Sequence, residues 1–211
     1  MKVLELFAGS CSFSNVAKAR GHETFTVDYI QYGKIDLVED LFNVSFGDIP
    51  FKPDIIWASP PCTTFSIASC SKHWTAPDKY GNREPKTEAA HDGLLLLEQT
   101  IWLMNEIQPK YYLIENPRGL MRKMPKVEHL SRTTVTYCQY GDTRMKPTDL
   151  WTNLIEDVWT PRPMCKNGMP CHQSAPRGSK TGTQGLKNNY ERSKVPTELC
   201  LEIIKILENE A

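Results

Sequence analysis

The chain has 211 residues, 40% hydrophobic and 24% charged, which is enough to bury one substantial core and ordinary for a globular protein. Its 25 Lys and Arg balance 25 Asp and Glu, so a globally basic nucleic-acid binder is excluded and any basic surface must be local. The seven cysteines are an odd, scattered set, which argues against a disulfide framework and for reduced thiols. No apolar run approaches membrane-spanning length, and "MKVLELFAGS" is too short and too soon polar for a signal peptide. The expectation is a cytoplasmic protein with no membrane partner.

"KVLELF" (2–7) is a near-continuous apolar run with strand character, broken by "AGSCS". "FSNVAKARG" (13–21) follows as a helix, and "HETFTVD" (22–28) as a second strand stopping at an acidic residue. "IDLVEDLF" reads as a short strand or turn. "DIIWAS" (54–59) is another buried strand, followed by a long polar loop ending near residue 90. "HDGLLLLEQTIWLMNEIQ" (91–108) is the clearest helix, and "KYYLIEN" (110–116) returns as a strand. "TTVTYCQYG" and "DLWTNL" predict two more strands. Gly, Pro, Ser and Lys then mark a loop region, and "PTELCLEIIKILENE" closes as an amphipathic helix with Pro196 near its start. Alternating strands and helices predict an α/β fold with a mostly parallel sheet.

Three places carry chemistry. "FAGSCSF", between the first strand and helix, is a small-residue turn through which backbone and helix terminus can approach a ligand. Asp28, about 20 residues past it, suits a pair of ribose hydroxyls, although a solvated carboxylate at a strand end fits the same pattern. No phosphate-cradling lysine loop is present, so a nucleoside suits the turn better than a triphosphate. In "ASPPCTTFS" (58–66) two prolines end a core strand and hold Cys62 at its carboxyl end, where ligands sit in open α/β sheets. In "IENPRG" (114–119) Glu115 ends another core strand. It is either a carboxylate set to share a proton in a partly desolvated cleft, or a helix cap paired with Arg118.

In this order the three segments resemble the cytosine-5 DNA methyltransferases, most closely their short, phage-like members. The likeness covers about residues 1–155, with an echo in "YERSKVPTELC" of the segment that closes the family's cofactor pocket. It implies a Rossmann-like S-adenosylmethionine-dependent fold with helices on both faces of the sheet, and a reduced or absent target-recognition domain. Catalytic and cofactor residues would occupy 1–155, a short basic substrate-contact segment 156–190, and a C-terminal helix 191–211 packing back on the first part.

The resemblance implies that Cys62 adds to carbon 6 of cytosine while Glu115 hydrogen-bonds the ring nitrogen and exocyclic amine. Arg144 joins them as a catalytic candidate. S-adenosylmethionine would lie over Phe7, Ala8, Gly9 and Ser10, with Asp28 on the ribose, Asp40 beside the adenine, and Pro60 at the pocket. Ser66, Asn116 and Lys146 would contact the substrate, a flipped cytosine in DNA; RNA or a free pyrimidine nucleotide remains open, as does an inactive relative that only binds nucleic acid. The loop 67–90, with Lys72, Lys79, Arg83 and Lys86, would close over the base.

The chain departs from the pattern in three ways. Cys11 stands where family members usually have glycine, which limits backbone freedom. The Gln-x-Arg-x-Arg element is absent, leaving Arg144 and Lys146 in "YGDTRMKPTDLW" as nearest candidates. The recognition segment is short and basic, with Lys166, Arg177, Lys180 and Lys187 spread among glycines, which suits phosphate contact more than base readout. Within it Cys165, Cys171 and His172 invite a zinc reading, but the spacing fits no standard site and shows no fourth ligand. No bound metal is expected.

Overall fold

The structure, a computed structural model, describes residues 1–155, 157–174, 186 and 188–210. Seven strands form one sheet: β1 (Lys2–Leu6), β2 (Glu23–Asp28), β3 (Leu37–Val38), β4 (Ile55–Ala58), β5 (Tyr111–Pro117), β6 (Arg132–Thr136) and β7 (Pro147–Thr152). Their order is β3-β2-β1-β4-β5-β7-β6. The first five are parallel neighbours, and β7 runs antiparallel between β5 and β6. The order reverses between β1 and β4, so the carboxyl ends of these strands frame the crevice where α/β sheets hold ligands.

Both faces of the central strands are buried, which is why β1, β4 and β5 read as apolar runs rather than alternations. Leu4, Leu6, Ile56, Ala58 and Ile114 face the long helix α3 (Glu88–Ile107) with its Leu97, Leu103 and Ile107. Val3, Ile55, Trp57 and Leu113 face the other way, against Phe13 and Ala17 of α1 (Ser12–Ala19) and Leu199, Ile203 and Leu207 of α6 (Thr197–Asn209). Phe13 stacks on Trp57 at 4.6 Å and 15°. The closing helix therefore packs back on the sheet beside α1. Two short helices, α2 (Cys70–His73) and α4 (Pro125–Glu128), and a one-turn α5 (Asn189–Ser193) complete the set.

The first helix begins without a side-chain cap of its own. Its orphan N–H groups are met instead from the sheet: Phe13 and Ser14 donate to the Glu5 carboxylate at 3.3 and 2.8 Å. Glu5 is wholly buried, and burial pushes its carboxyl up to about 7 despite those bonds.

Most strands and helices expected from the apolar pattern agree with the structure to within a few residues, but the strand expected over 133–141 stops at Thr136 and turns into a one-turn helix Tyr137–Tyr140, and the region read as loop contains α5. The loop 67–90 differs, because it has structure of its own. Trp74 is fully buried, packs on Phe65 at 5.4 Å, donates to the Thr64 carbonyl at 2.9 Å and bridges to Pro85. His73 and Thr87 close the loop's base at 2.8 Å. Only its outer part, with Tyr80 76% exposed, stands free of the core.

Candidate active site

The turn after β1 is held in a backbone shape that L-residues resist. Phe7, Gly9 and Cys11 have φ of 54°, 46° and 51°. Only Gly9 adopts this without steric cost; each of the other two gives up about 1 kcal/mol. The left-handed Cys11 explains why glycine suits this position. Cysteine is accommodated because its side chain packs with Ala8 and Ile35. Burial raises its thiol to about 11, so it is an inert filler.

Asp28 locks the turn. Its Oδ2 accepts from the Gly9 N–H and its Oδ1 from the Ile30 N–H, both at 2.9 Å. Each oxygen keeps a lone pair for a further donor. A carboxylate presenting two free acceptor positions beside a small-residue turn fits a nucleoside with a vicinal diol. Asp40 lies at the end of the neighbouring β3, exposed, and caps a one-turn helix by accepting from the Phe42 N–H at 3.1 Å. Ser10 and Ser12 share a hydroxyl contact of 2.7 Å, and Ser12 Oγ accepts from the Val195 N–H at 3.1 Å. The chain's last loop thus seats on the first one, and a side chain at Gly9 would come within 3.8 Å of Ser193 Oγ.

The second part of the site lies at the ends of β4 and β5. These strands pair directly, Ala58 beside Ile114, so the segments beyond them share one edge. The Pro60–Cys62 turn is fastened by Asn116, whose Nδ2 donates to the buried Pro60 carbonyl at 2.9 Å. Asn116, expected against the substrate, is wholly buried. Its Nδ2 holds the Pro60–Cys62 turn, while its Oδ1, also buried, is left without a hydrogen-bond partner among the described residues. A second fastening comes from Leu120, which donates to the Phe65 carbonyl at 2.7 Å. Gly119 permits it: a Cβ there would lie 2.4 Å from the Phe65 oxygen. Gly119→Ala should therefore push residues 62–66 outward and lower stability by about 1–3 kcal/mol, read as a lower thermal midpoint. An unchanged midpoint would mean that this approach is not needed.

Cys62 is partly exposed by residue, yet its thiol group lies in a largely desolvated place. Burial pushes the thiol above its ordinary value; Lys146 and Arg192 pull it down, and Glu115 pushes it up. Those four groups therefore share one field. Glu115 Oε1 accepts from the Tyr137 hydroxyl at 2.7 Å and lies 3.8 Å from Lys146 Nζ. The ammonium also sits over the Tyr137 ring, 4.6 Å from its centroid, and donates to the Arg192 carbonyl at 3.2 Å. Lys146 has φ of 27°, a strained value of the kind that collects at functional sites.

Arg144, the expected catalytic cation, is not brought there by its hydrogen bonds. It is buried; its Nε and Nη2 bind Asp142, and Nη1 and Nη2 donate to the carbonyls of Glu191, Arg192 and Lys194. With all its donors engaged, it clamps the C-terminal end of α5, and Lys146 is the cation that lies beside Glu115. The reason is local: Asp142, two residues away, captures the guanidinium. Tyr137 and Arg192 were not expected. Nothing in "TTVTYCQYG" marks one tyrosine, and Arg192 reaches Cys62 only through the fold.

Ser66 makes a local turn, accepting from the Ala68 N–H at 3.3 Å. In the loop above it, Arg83 and Lys86 donate to the carbonyls of Thr75 and Ser71, both at 2.7 Å, so they brace the loop rather than its outer surface. Lys72 and Lys79 are exposed. Within 156–190 Lys166 is exposed, whereas Arg177, Lys180 and Lys187 lie outside the described residues. The missing fourth donor beside Cys165, Cys171 and His172 is supplied by Cys138, which corrects the reading from spacing.

A family model for the C-5 cytosine-specific DNA methylases matches residues 1–136. A frog virus 3 (isolate Goorha) protein named as a probable DNA (cytosine-5)-methyltransferase is 27% identical over 220 aligned residues, 98% of this chain and all of that protein. Among solved structures, one described as a DNA modification methyltransferase encoded within an E. coli prophage superposes with a TM-score of 0.53 at 16% identity over 83% of this chain. The chain spans 57% of that protein's length, and the likeness at this identity concerns the fold. With the matched model running from the turn of β1 through the ends of β4 and β5, the chain belongs to the C-5 cytosine-specific DNA methylase family.

Proposed function

We propose that the chain transfers a methyl group from S-adenosylmethionine to carbon 5 of a cytosine in DNA, through a covalent bond from Cys62. One observation carries this reading: a nucleophile and a carboxylate end neighbouring parallel strands, and one ammonium acts on both.

S-adenosylmethionine, when bound, supplies an electrophilic methyl group. Phe7, Ala8, Gly9 and Ser10 provide the turn for its approach, Asp28 accepts from the ribose diol, Asp40 lies toward the adenine, and Pro60 lines the pocket. Cytosine carbon 5 is too weak a nucleophile to take a methyl group unaided. The Cys62 thiolate adds to carbon 6, which gives carbon 5 enamine character. Glu115 accepts from the exocyclic amine and shares a proton with the ring nitrogen as charge develops there, with Tyr137 and Lys146 holding the carboxyl group in place. After transfer a water molecule takes the proton from carbon 5, its electron pair re-forms the carbon 5–carbon 6 double bond, the carbon 6–sulfur bond breaks, and the thiolate is restored. A stacked base cannot reach Cys62, so the cytosine is flipped out, and Lys72 and Lys79, exposed on the loop above, would meet phosphate.

Labelled methyl transfer to duplex DNA, single-stranded DNA, transfer RNA and dCMP in parallel tests the assignment. Incorporation into cytosine of DNA is expected. Incorporation into transfer RNA or dCMP alone would keep the chemistry and overturn the substrate.

Asp28 gives an independent check on the cofactor pocket. Asp28→Ala should weaken S-adenosylmethionine binding by about 1–3 kcal/mol, since charged hydrogen bonds are lost. Asp28→Asn should fall between, because its one oxygen can still accept a backbone N–H while the ribose loses a charged acceptor. Calorimetry separates the two, and a dissociation constant unchanged in both would move the cofactor elsewhere.

A further inference from the structure

Far along the sheet from the cofactor turn, four soft donors meet where the recognition segment crosses the one-turn helix Tyr137–Tyr140. Cys138, Cys165, Cys171 and His172 present three sulfurs and one imidazole nitrogen, all within 4.8 Å of one another. We propose that these residues form a structural zinc site that staples residues 160–174 to the edge of the catalytic domain.

The donor set and its dimensions both point to zinc. Three thiolates and one histidine make a closed structural site with no position left for water. Zinc–sulfur bonds of about 2.3 Å and zinc–nitrogen bonds of about 2.0 Å in a tetrahedron give edges of about 3.8 Å between sulfurs and about 3.5 Å from sulfur to nitrogen. Cys138 and Cys171 sulfurs are 3.7 Å apart. His172 Nδ1 lies 3.4 Å from Cys165 Sγ and 3.6 Å from Cys171 Sγ. Cys165 and Cys171 sulfurs are 3.1 Å apart, short of the tetrahedral edge but far beyond the ~2.05 Å of a disulfide. His172 offers Nδ1, the ring nitrogen nearer its backbone, as a ligand adjacent in sequence to Cys171 must. Its Nε2 is buried without a partner among the described residues, so the ring's polar contacts run only toward the sulfurs.

The segment also needs such a staple. Trp159 anchors the start of this segment in the core, but beyond it the described residues 160–174 contain no helix or strand, and Met164 and Met169 are 43% and 51% exposed. Yet the backbone is seated in register: Cys165 donates to Thr136 Oγ1 at 2.9 Å and Gln173 to the Thr143 carbonyl at 2.8 Å. A metal cross-link replaces the missing core, as in other small elements that cannot bury enough surface. Cys138 follows Tyr137, whose hydroxyl binds Glu115. The same ion would fix the turn that carries this tyrosine.

Metal content tests the site without any methyl-transfer assay. Protein purified without chelator and dialysed exhaustively should retain about one zinc per chain by plasma mass spectrometry. Cobalt exchanged for zinc should show the thiolate charge-transfer and tetrahedral visible bands. Cys165→Ser and Cys171→Ser, at accessible positions, should lose at least tenfold in retained zinc, and Cys70→Ser, outside the cluster, none. Cys138→Ser removes a buried thiol and could unfold, so the two accessible variants decide. Chelation should speed proteolysis within 160–174 while circular dichroism of the sheet persists. Absence of zinc with no cobalt spectrum, or a Cys165–Cys171 disulfide by peptide mapping, would overturn the proposal.

Discussion

Cys62→Ser is expected to abolish methyl transfer, by about 10³-fold or more, while S-adenosylmethionine binding stays nearly unchanged. A serine hydroxyl is a far weaker nucleophile at neutral pH. The turn proposed to take the cofactor lies between β1 and α1, and its fastenings run through Asp28 and Val195 rather than through Cys62. Binding and chemistry are thus separable. DNA containing 5-fluorocytosine sharpens the test, since carbon 5 then has no proton to lose and the thioether at carbon 6 persists. Wild-type protein should give a stable adduct mapped to Cys62, and the serine variant none. Near-normal turnover in the variant would sink the covalent mechanism.

What the sequence shows of this site is what is local. Parallel strands buried on both faces leave apolar runs, so β1, β4 and β5 are legible as strands. The turns after them carry their own punctuation in "FAGS", "PPC" and "ENP", and pairing β4 with β5 needs only the ordinary topology of the fold. Contacts across the sheet are another matter. Arg144 and Lys146 sit two residues apart in one turn, and the choice between them rests on Asp142 capturing the first. That Asn116 also holds the Pro60 carbonyl, 56 residues away, is seen only in the fold. Arg192 depends on a segment held by hydrogen bonds spanning 46 to 50 residues. Cys138 and Cys171 are 33 residues apart, with β7 between them, so no motif of ligand spacing could list them together.

Lys146→Met should move the pH profile as well as the rate. The thiol of Cys62 is raised first by burial, and Lys146 is the largest influence opposing this. Removing the ammonium leaves desolvation and Glu115 acting together, so the thiol rises further. Turnover needs the thiolate, and activity climbs as pH rises through this value; the ascending limb must therefore shift to higher pH in the variant. At neutral pH the loss should be about 10²-fold, comparable to removing one preorganised charge from an active site. Methionine keeps an unbranched stem over the Tyr137 ring, so packing is largely retained. Simple loss of substrate affinity would lower the whole curve and raise KM without moving its limb. The limb's position under saturating DNA is accordingly the deciding measurement. If it does not move, Lys146 acts on the DNA backbone, and Arg192 is left as the cation that tunes the nucleophile.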